Sequence, residues 1–168
     1  GRVPETPFPV NVNQPGSGVS MGAVWGDFDN DDDLDLVISG SEASLVPCTD
    51  GVTCPPSVTQ IFQNENGSFS RYDADLVDRF AGDARWVDFD NDNDLDLFVT
   101  GIDIDVTAKV DLAQVYRNDN GTFVDIKPGI IETHQGKSDW GDYDNDGDPD
   151  LILSGFSESG SIPLLKLF

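Results

Sequence analysis

Trp25-Gly26-Asp27-Phe28-Asp29-Asn30-Asp31-Asp32-Asp33-Leu34-Asp35-Leu36 is the stretch that decides the fold, because the chain repeats it twice. The copies read Trp86-Val87-Asp88-Phe89-Asp90-Asn91-Asp92-Asn93-Asp94-Leu95-Asp96-Leu97 and Trp140-Gly141-Asp142-Tyr143-Asp144-Asn145-Asp146-Gly147-Asp148-Pro149-Asp150-Leu151. Counting the first Asp as position 1, carboxylates stand at positions 1, 3, 5, 7 and 9 of every copy. A solvated acidic turn explains one such run. Three runs in one register, each after a Trp and before an apolar segment, call for a cation among the acids. Calcium suits them, since it takes six to eight hard oxygen ligands in a flexible shell.

The expected side-chain ligands are Asp27, Asp29, Asp31 and Asp35, then Asp88, Asp90, Asp92 and Asp96, then Asp142, Asp144, Asp146 and Asp150. A backbone carbonyl near position 7 and a water complete each shell, so Asp33, Asp94 and Asp148 join the candidate set. An EF-hand requires a bidentate Glu at position 12. Here that position holds Ile38, Val99 or Leu153. The segment after each loop is short and apolar, closed by Gly40, Gly101 or Gly155, and reads as a strand. Position 6 demands a sharp turn, which favours Gly147 over Asn93 and Asn93 over Asp32. The third loop is therefore expected to have the least strained backbone.

Other landmarks keep the register. Phe8, Phe69 and Phe123 each precede the first Asp of a loop by 19 residues, and the loops recur after 61 and then 54 residues. Gln60–Phe69 and Gln114–Phe123 each read as strand, Asn-Gly turn and strand, a strong hairpin signal. The expected fold is all-β: three repeats of about four antiparallel strands, at about 6–64, 65–118 and 119–168 in a single domain. Leu167-Phe168 aligns with Ile61-Phe62 and Val115-Tyr116, the first arm of a hairpin, and Phe8 aligns with the second arm. Each terminus thus carries half of a hairpin. Such edges invite closure of a ring, head-to-tail pairing with another copy into a filament, or continuation into a longer propeller.

With these residues in place, the chain resembles the FG-GAP/VCBS repeats of integrin-α-type propellers and of many secreted or surface proteins. The resemblance implies blade-like sheets, calcium in the three loops, and no catalysis by the loop carboxylates.

The formal charge is −23, with half of the 32 acidic residues in the three loops, which disfavours nucleic acid and anionic membranes as partners. No segment approaches the about 20 apolar residues of a membrane span. Cys48 and Cys54, the only cysteines, flank a short loop and are expected to form a local disulfide. That places the protein outside the cell or at its surface. Asn66-Gly-Ser68 and Asn120-Gly-Thr122 are sequons for N-glycosylation as well as turn chemistry. His134 is the only histidine, with no nucleophile matched to it in sequence, and no phosphate loop or zinc spacing occurs. The reading is non-enzymatic: a calcium-rigidified structural or adhesion module that associates with itself or another extracellular protein. A carbohydrate-binding module, with Trp25, Trp86 and Trp140 as sugar platforms, is the alternative to their role as packing anchors.

Overall fold

A computed structural model describes residues 22–41, 46–47, 53–54, 57–78, 80–103, 110–126, 134–157 and 160–167. Every regular element among them is a strand, as the alternating and β-branched pattern requires. In chain order these are β1 Gly22–Gly26, β2 Asp35–Ser41, β3 Val46–Pro47, β4 Thr53–Cys54, β5 Ser57–Glu65, β6 Ser68–Tyr72, β7 Phe80–Val87, β8 Asp96–Asp103, β9 Val110–Asp119, β10 Thr122–Asp125, β11 His134–Gly141, β12 Asp150–Ser157 and β13 Gly160–Leu167.

They form antiparallel sheets ordered β1-β2-β5-β6, β7-β8-β9-β10 and β11-β12-β13, with β3-β4 as a small separate ribbon. Each large sheet starts with the Trp-bearing strand, turns through the acidic loop, and continues with the apolar strand that opens at position 9. The register is common to all three: Trp25 pairs with Leu36, Trp86 with Leu97 and Trp140 with Leu151. The two Asn-Gly turns have φ of 53° and 86° at Asn66 and Gly67, and 52° and 90° at Asn120 and Gly121. Two successive positive φ values define the type I′ turn that matches strand twist. The alignment of the last strand with earlier hairpin arms also holds. Leu167 pairs with Ile152 as Ile61 pairs with Val37 and Val115 with Phe98.

Strand alternation sends successive side chains to opposite faces, and both faces of the middle sheet are covered. Val37 and Ile61 of the first sheet meet Leu97, Val99 and Tyr116 of the second, with Phe28 of the first loop among them. On its other face the second sheet presents Val87, Phe98 and Val115 to Leu151 and Leu153 of the third. Leu36, Ile38 and Phe62 form a third cluster on the opposite face of the first sheet, with Phe69 against it. Contact between sheets centres on β1, β2, β7 and β11, so β7 of the second sheet lies against the first two strands of the first sheet and against β11 of the third.

One polar group sits inside this stack. Asp83 on β7 is fully buried, and its carboxylate accepts from Lys137 Nζ at 2.8 Å, Ser138 N at 2.9 Å and Ser138 Oγ at 3.0 Å, with Arg85 Nη2 at 3.2 Å. It fixes the second sheet to β11. Just before it, the pairing of β7 with β8 slips between Phe80 and Asp83, and that of β11 with β12 slips between His134 and Lys137. Gly82 and Gly136 lie in these bulges, where any Cβ would collide with the carbonyl oxygen of Thr100 or Ser154.

The expected Cys48–Cys54 bridge and the N-terminal half-hairpin with Phe8 lie outside the described residues. On the ribbon, the backbone pairs Val46 with Cys54 and Pro47 with Thr53.

Candidate metal centres

Each acidic loop is folded around its own first carboxylate. Asp27 accepts from Asp31 N at 3.1 Å and Asp32 N at 3.0 Å; Asp88 accepts from Asp92 N and Asn93 N, both at 3.0 Å; Asp142 accepts from Asp146 N and Gly147 N, both at 3.1 Å. To bring those N–H groups round, the backbone is left-handed at position 6, with φ of 70°, 72° and 98° at Asp32, Asn93 and Gly147. The sharp turn expected at position 6 is present in every loop. Position 4 is left-handed as well, at Asn30, Asn91 and Asn145, with φ of 59°, 60° and 62°. Asn is the side chain other than Gly that best tolerates this region, which accounts for its presence at position 4 in every copy.

Position 9 ties the loop to the hairpin of its own sheet. Asp35 accepts from Phe28 N at 3.0 Å and Asn64 N at 2.8 Å; Asp96 accepts from Phe89 N at 3.0 Å and Asn118 N at 2.7 Å. Both carboxylates are fully buried. Burial pushes each up to about 6, helped by neighbouring loop acids and opposed by the two backbone N–H bonds. Asp90 is raised by burial and then by Asp92, while Asp144 is raised first by the charge of Asp146 and then by burial.

The geometry groups Asp27, Asp29 and Asp35, then Asp88, Asp90 and Asp96, then Asp142, Asp144 and Asp146, each with one carboxylate oxygen within 4.8 Å of the others. Positions 1 and 3 are common to all three groups. Position 9 completes the first two and position 5 the third. Asp31, Asp92 and Asp150 lie outside these groups, in the same loops. Asp29 Oδ1 is buried without a hydrogen-bond partner, whereas Asp29 Oδ2 accepts from Gln63 Nε2 at 2.6 Å. A buried anionic oxygen without a partner, on a residue grouped with two other carboxylates, is what a hard cation satisfies, so the residues present fit calcium.

Position 7 plays a different part. Asp33 Oδ2 accepts from Asn66 N at 2.7 Å, holding the hairpin turn. Asp94 Oδ2 accepts from Asn120 N at 3.3 Å, while Asp94 Oδ1 accepts from Asn30 Nδ2 of the preceding loop at 2.9 Å. Asp148 Oδ1 likewise accepts from Asn91 Nδ2 at 2.9 Å. The position-4 amides thus connect each acidic loop to the next. Asn64 and Asn118 brace the loops from the hairpin side: their amides donate to Leu34 O and Leu95 O and accept from the Gly of the turn. In the sequence these four asparagines are marked only by their recurrence at fixed positions.

Asp35 and Asp96 carry raised folded-state values without metal, so their contribution to stability is complete below the unfolded value near 4 and is lost as pH rises through about 6. Chelated protein should therefore melt at lower temperature at pH 7 than at pH 5, and millimolar calcium should reverse that order. A chelated melting curve that climbs between pH 5 and 7 contradicts the assignment. Separately, Asp32→Gly removes a left-handed Asp and should stabilise by about 0.5–1 kcal/mol in chemical denaturation, with Asn93→Gly near neutral. A destabilised Asp32→Gly protein would show that the Asp32 side chain matters more than its backbone. The third loop, least strained, is also the most exposed of the three, so conformation and enclosure act on it in opposite directions.

Stacked antiparallel sheets, each carrying a nine-residue acidic loop in constant register, define an all-β repeat protein whose loops gather carboxylates. The profile of the FG-GAP-like repeat matches residues 88–153, from the first Asp of the second loop to the strand after the third. That segment is an FG-GAP-like repeat, and the first loop reproduces its geometry outside the matched range. No curated protein and no solved structure gives a significant match. No helix among the described residues is long and apolar enough to cross a membrane.

Proposed function

We propose that the chain is an extracellular or cell-surface structural module whose sheets act as propeller-type blades and whose three loops each hold one calcium ion. The observation that carries this reading is the orphaned Asp29 Oδ1 within the triad of Asp27, Asp29 and Asp35, a grouping repeated in kind at the second and third loops. Asp27, Asp88 and Asp142 already shape the loop through backbone N–H bonds, and positions 3, 5 and 9 contribute the remaining carboxylates. Calcium supplies the positive charge that lets these acids stay ionised side by side. The chain then needs no catalytic chemistry: its acids serve the loop backbone and the cation, and its role is adhesion or assembly.

Loop affinities in the extracellular range, about 10⁻⁴–10⁻³ M, suit such a module. Isothermal titration should give three calcium ions per chain in that range. Fewer than two, or no binding at ten millimolar, refutes the reading. Glycan binding through aromatic platforms has less support, because Trp86 stacks on Phe28, Trp140 packs against Phe98, and Trp25, the most exposed of the three, lies against Phe69. Asn66 and Asn120 stand exposed at their turns, open to glycosylation in a host that carries it out.

A further inference from the structure

We propose that the outer face of the third sheet is a docking surface for the first sheet of a second copy of this chain, in the same orientation in which the sheets already stack. Equivalent positions in the three repeats point to it. Phe28, at position 2 of the first loop, is buried and lies parallel to Trp86 of the next sheet, with ring centroids 5.9 Å apart and 9° between planes. Leu95, at position 8 of the second loop, packs into the same cluster. Asn30 Nδ2 donates to Asp94 Oδ1 beside them. The second junction keeps the amide bridge, Asn91 donating to Asp148, and gathers Phe89 and Trp140 in one cluster, although the ring partner of Trp140 is Phe98 and position 8 holds Pro149.

Among the described residues, the two outer sheets carry the unmatched halves of this junction. On the third sheet, Tyr143 stands where Phe28 and Phe89 stand and is 74 % exposed; Ile152 stands where Val37 and Phe98 stand and is 45 % exposed. On the first sheet, Trp25 stands where Trp86 and Trp140 stand and is 53 % exposed, and Leu34 stands where Leu95 stands and is 56 % exposed. These four account for most of the large apolar side chains exposed among the described residues. The polar halves are open too. Asn145 has the left-handed conformation of Asn30 and Asn91 and makes no hydrogen bond among the described residues. Asp33 uses Oδ2 on the Asn66 turn and leaves Oδ1, the oxygen that takes the incoming amide in Asp94 and Asp148.

Donor and acceptor, and exposed ring and exposed partner, therefore sit on the two outer sheets of the described residues. A surface that complements the other end of the same molecule makes a heterologous contact, which propagates into a ring or an open filament. Docking sets Tyr143 against Trp25 and Leu34 of the second copy and Asn145 against its Asp33. It also covers the third acidic loop, the most exposed of the three. The contact uses sheet faces, whereas strand-edge pairing at the termini would use backbone. It rests on the calcium-module reading only in that calcium-held loops carry both faces.

The test is sedimentation velocity of the 168-residue chain in millimolar calcium, up to about 100 µM, where weak specific contacts register. The wild type should sediment as species larger than a monomer. Tyr143→Lys and Trp25→Lys should each be monomeric, and Asn145→Ala should weaken association about tenfold. An equimolar mixture of Tyr143→Lys and Trp25→Lys leaves one good face on each partner, so it should give a 1:1 complex and nothing larger. Calcium stoichiometry on the same samples separates the two readings. Wild-type protein that binds three ions yet stays monomeric overturns the docking surface alone, and protein that binds none overturns the module. Variants that assemble like wild type, or a mixture that stays monomeric, also overturn the docking surface.

Discussion

Chelation is expected to lower the melting temperature of this protein by about 10 °C relative to millimolar calcium. The size of the shift comes from linkage. With calcium at about ten times Kd, one site contributes about 1.4 kcal/mol, and three contribute about 4 kcal/mol. For a chain of this size each kcal/mol moves the midpoint by about 2–4 °C. The structural cause is that nine carboxylates are drawn into three groups, and two of them, Asp35 and Asp96 at position 9, are sealed in the interior. Without a cation those charges repel across a few ångströms, and the loops relax by opening. Differential scanning calorimetry at pH 7, with EDTA and then with excess calcium, reads the effect. A shift under about 2 °C contradicts the linkage on which the module reading depends.

The second large effect is expected at position 9 of the middle loop. Asp96→Ala strips the acceptor from Phe89 N and Asn118 N, both of which point at a site with no solvent access. A hydrogen bond to a charged acceptor contributes about 1.5–3 kcal/mol, and a buried donor left unmade costs about as much as it loses. Loss of about 3 kcal/mol is the expectation, before any loss of metal. Asp96→Asn keeps one acceptor oxygen and should cost about half as much. Asp119→Ala, which removes only the exposed partner of Arg117, serves as the control and should leave the midpoint in place. Urea denaturation in EDTA isolates the hydrogen-bond part; a change under about 1 kcal/mol for Asp96→Ala would show that the hairpin is held by something else.

What the sequence made legible was local. Acids occupy every odd position of a nine-residue loop in all three copies, which announces a chelating loop. Asn-Gly between apolar alternations announces a type I′ hairpin, and both turns adopt it. The left-handed position 6 could be read from the Gly at 147. Contact between repeats was not legible, because it depends on which face of each strand meets which neighbour. Val37 and Leu36 are equally apolar in sequence, yet one faces the second sheet and the other faces away. Asn30 reads as filler among the aspartates, though its amide reaches 64 residues along the chain to Asp94. Asp83 looks like one more surface acid, since nothing nearby in sequence reveals Lys137 and Ser138, 54 and 55 residues later. The position-7 residues join the metal set through a backbone carbonyl, and nothing in the sequence shows that their carboxylates are engaged with turn amides and with the neighbouring loop.

Anomalous diffraction from crystals grown in millimolar calcium tests the central claim most directly. The account predicts three peaks, one within about 2.3–2.6 Å of carboxylate oxygens in each loop, at Asp27 and Asp29, at Asp88 and Asp90, and at Asp142 and Asp144. Ordered loops with no peak at any of the three positions would contradict it.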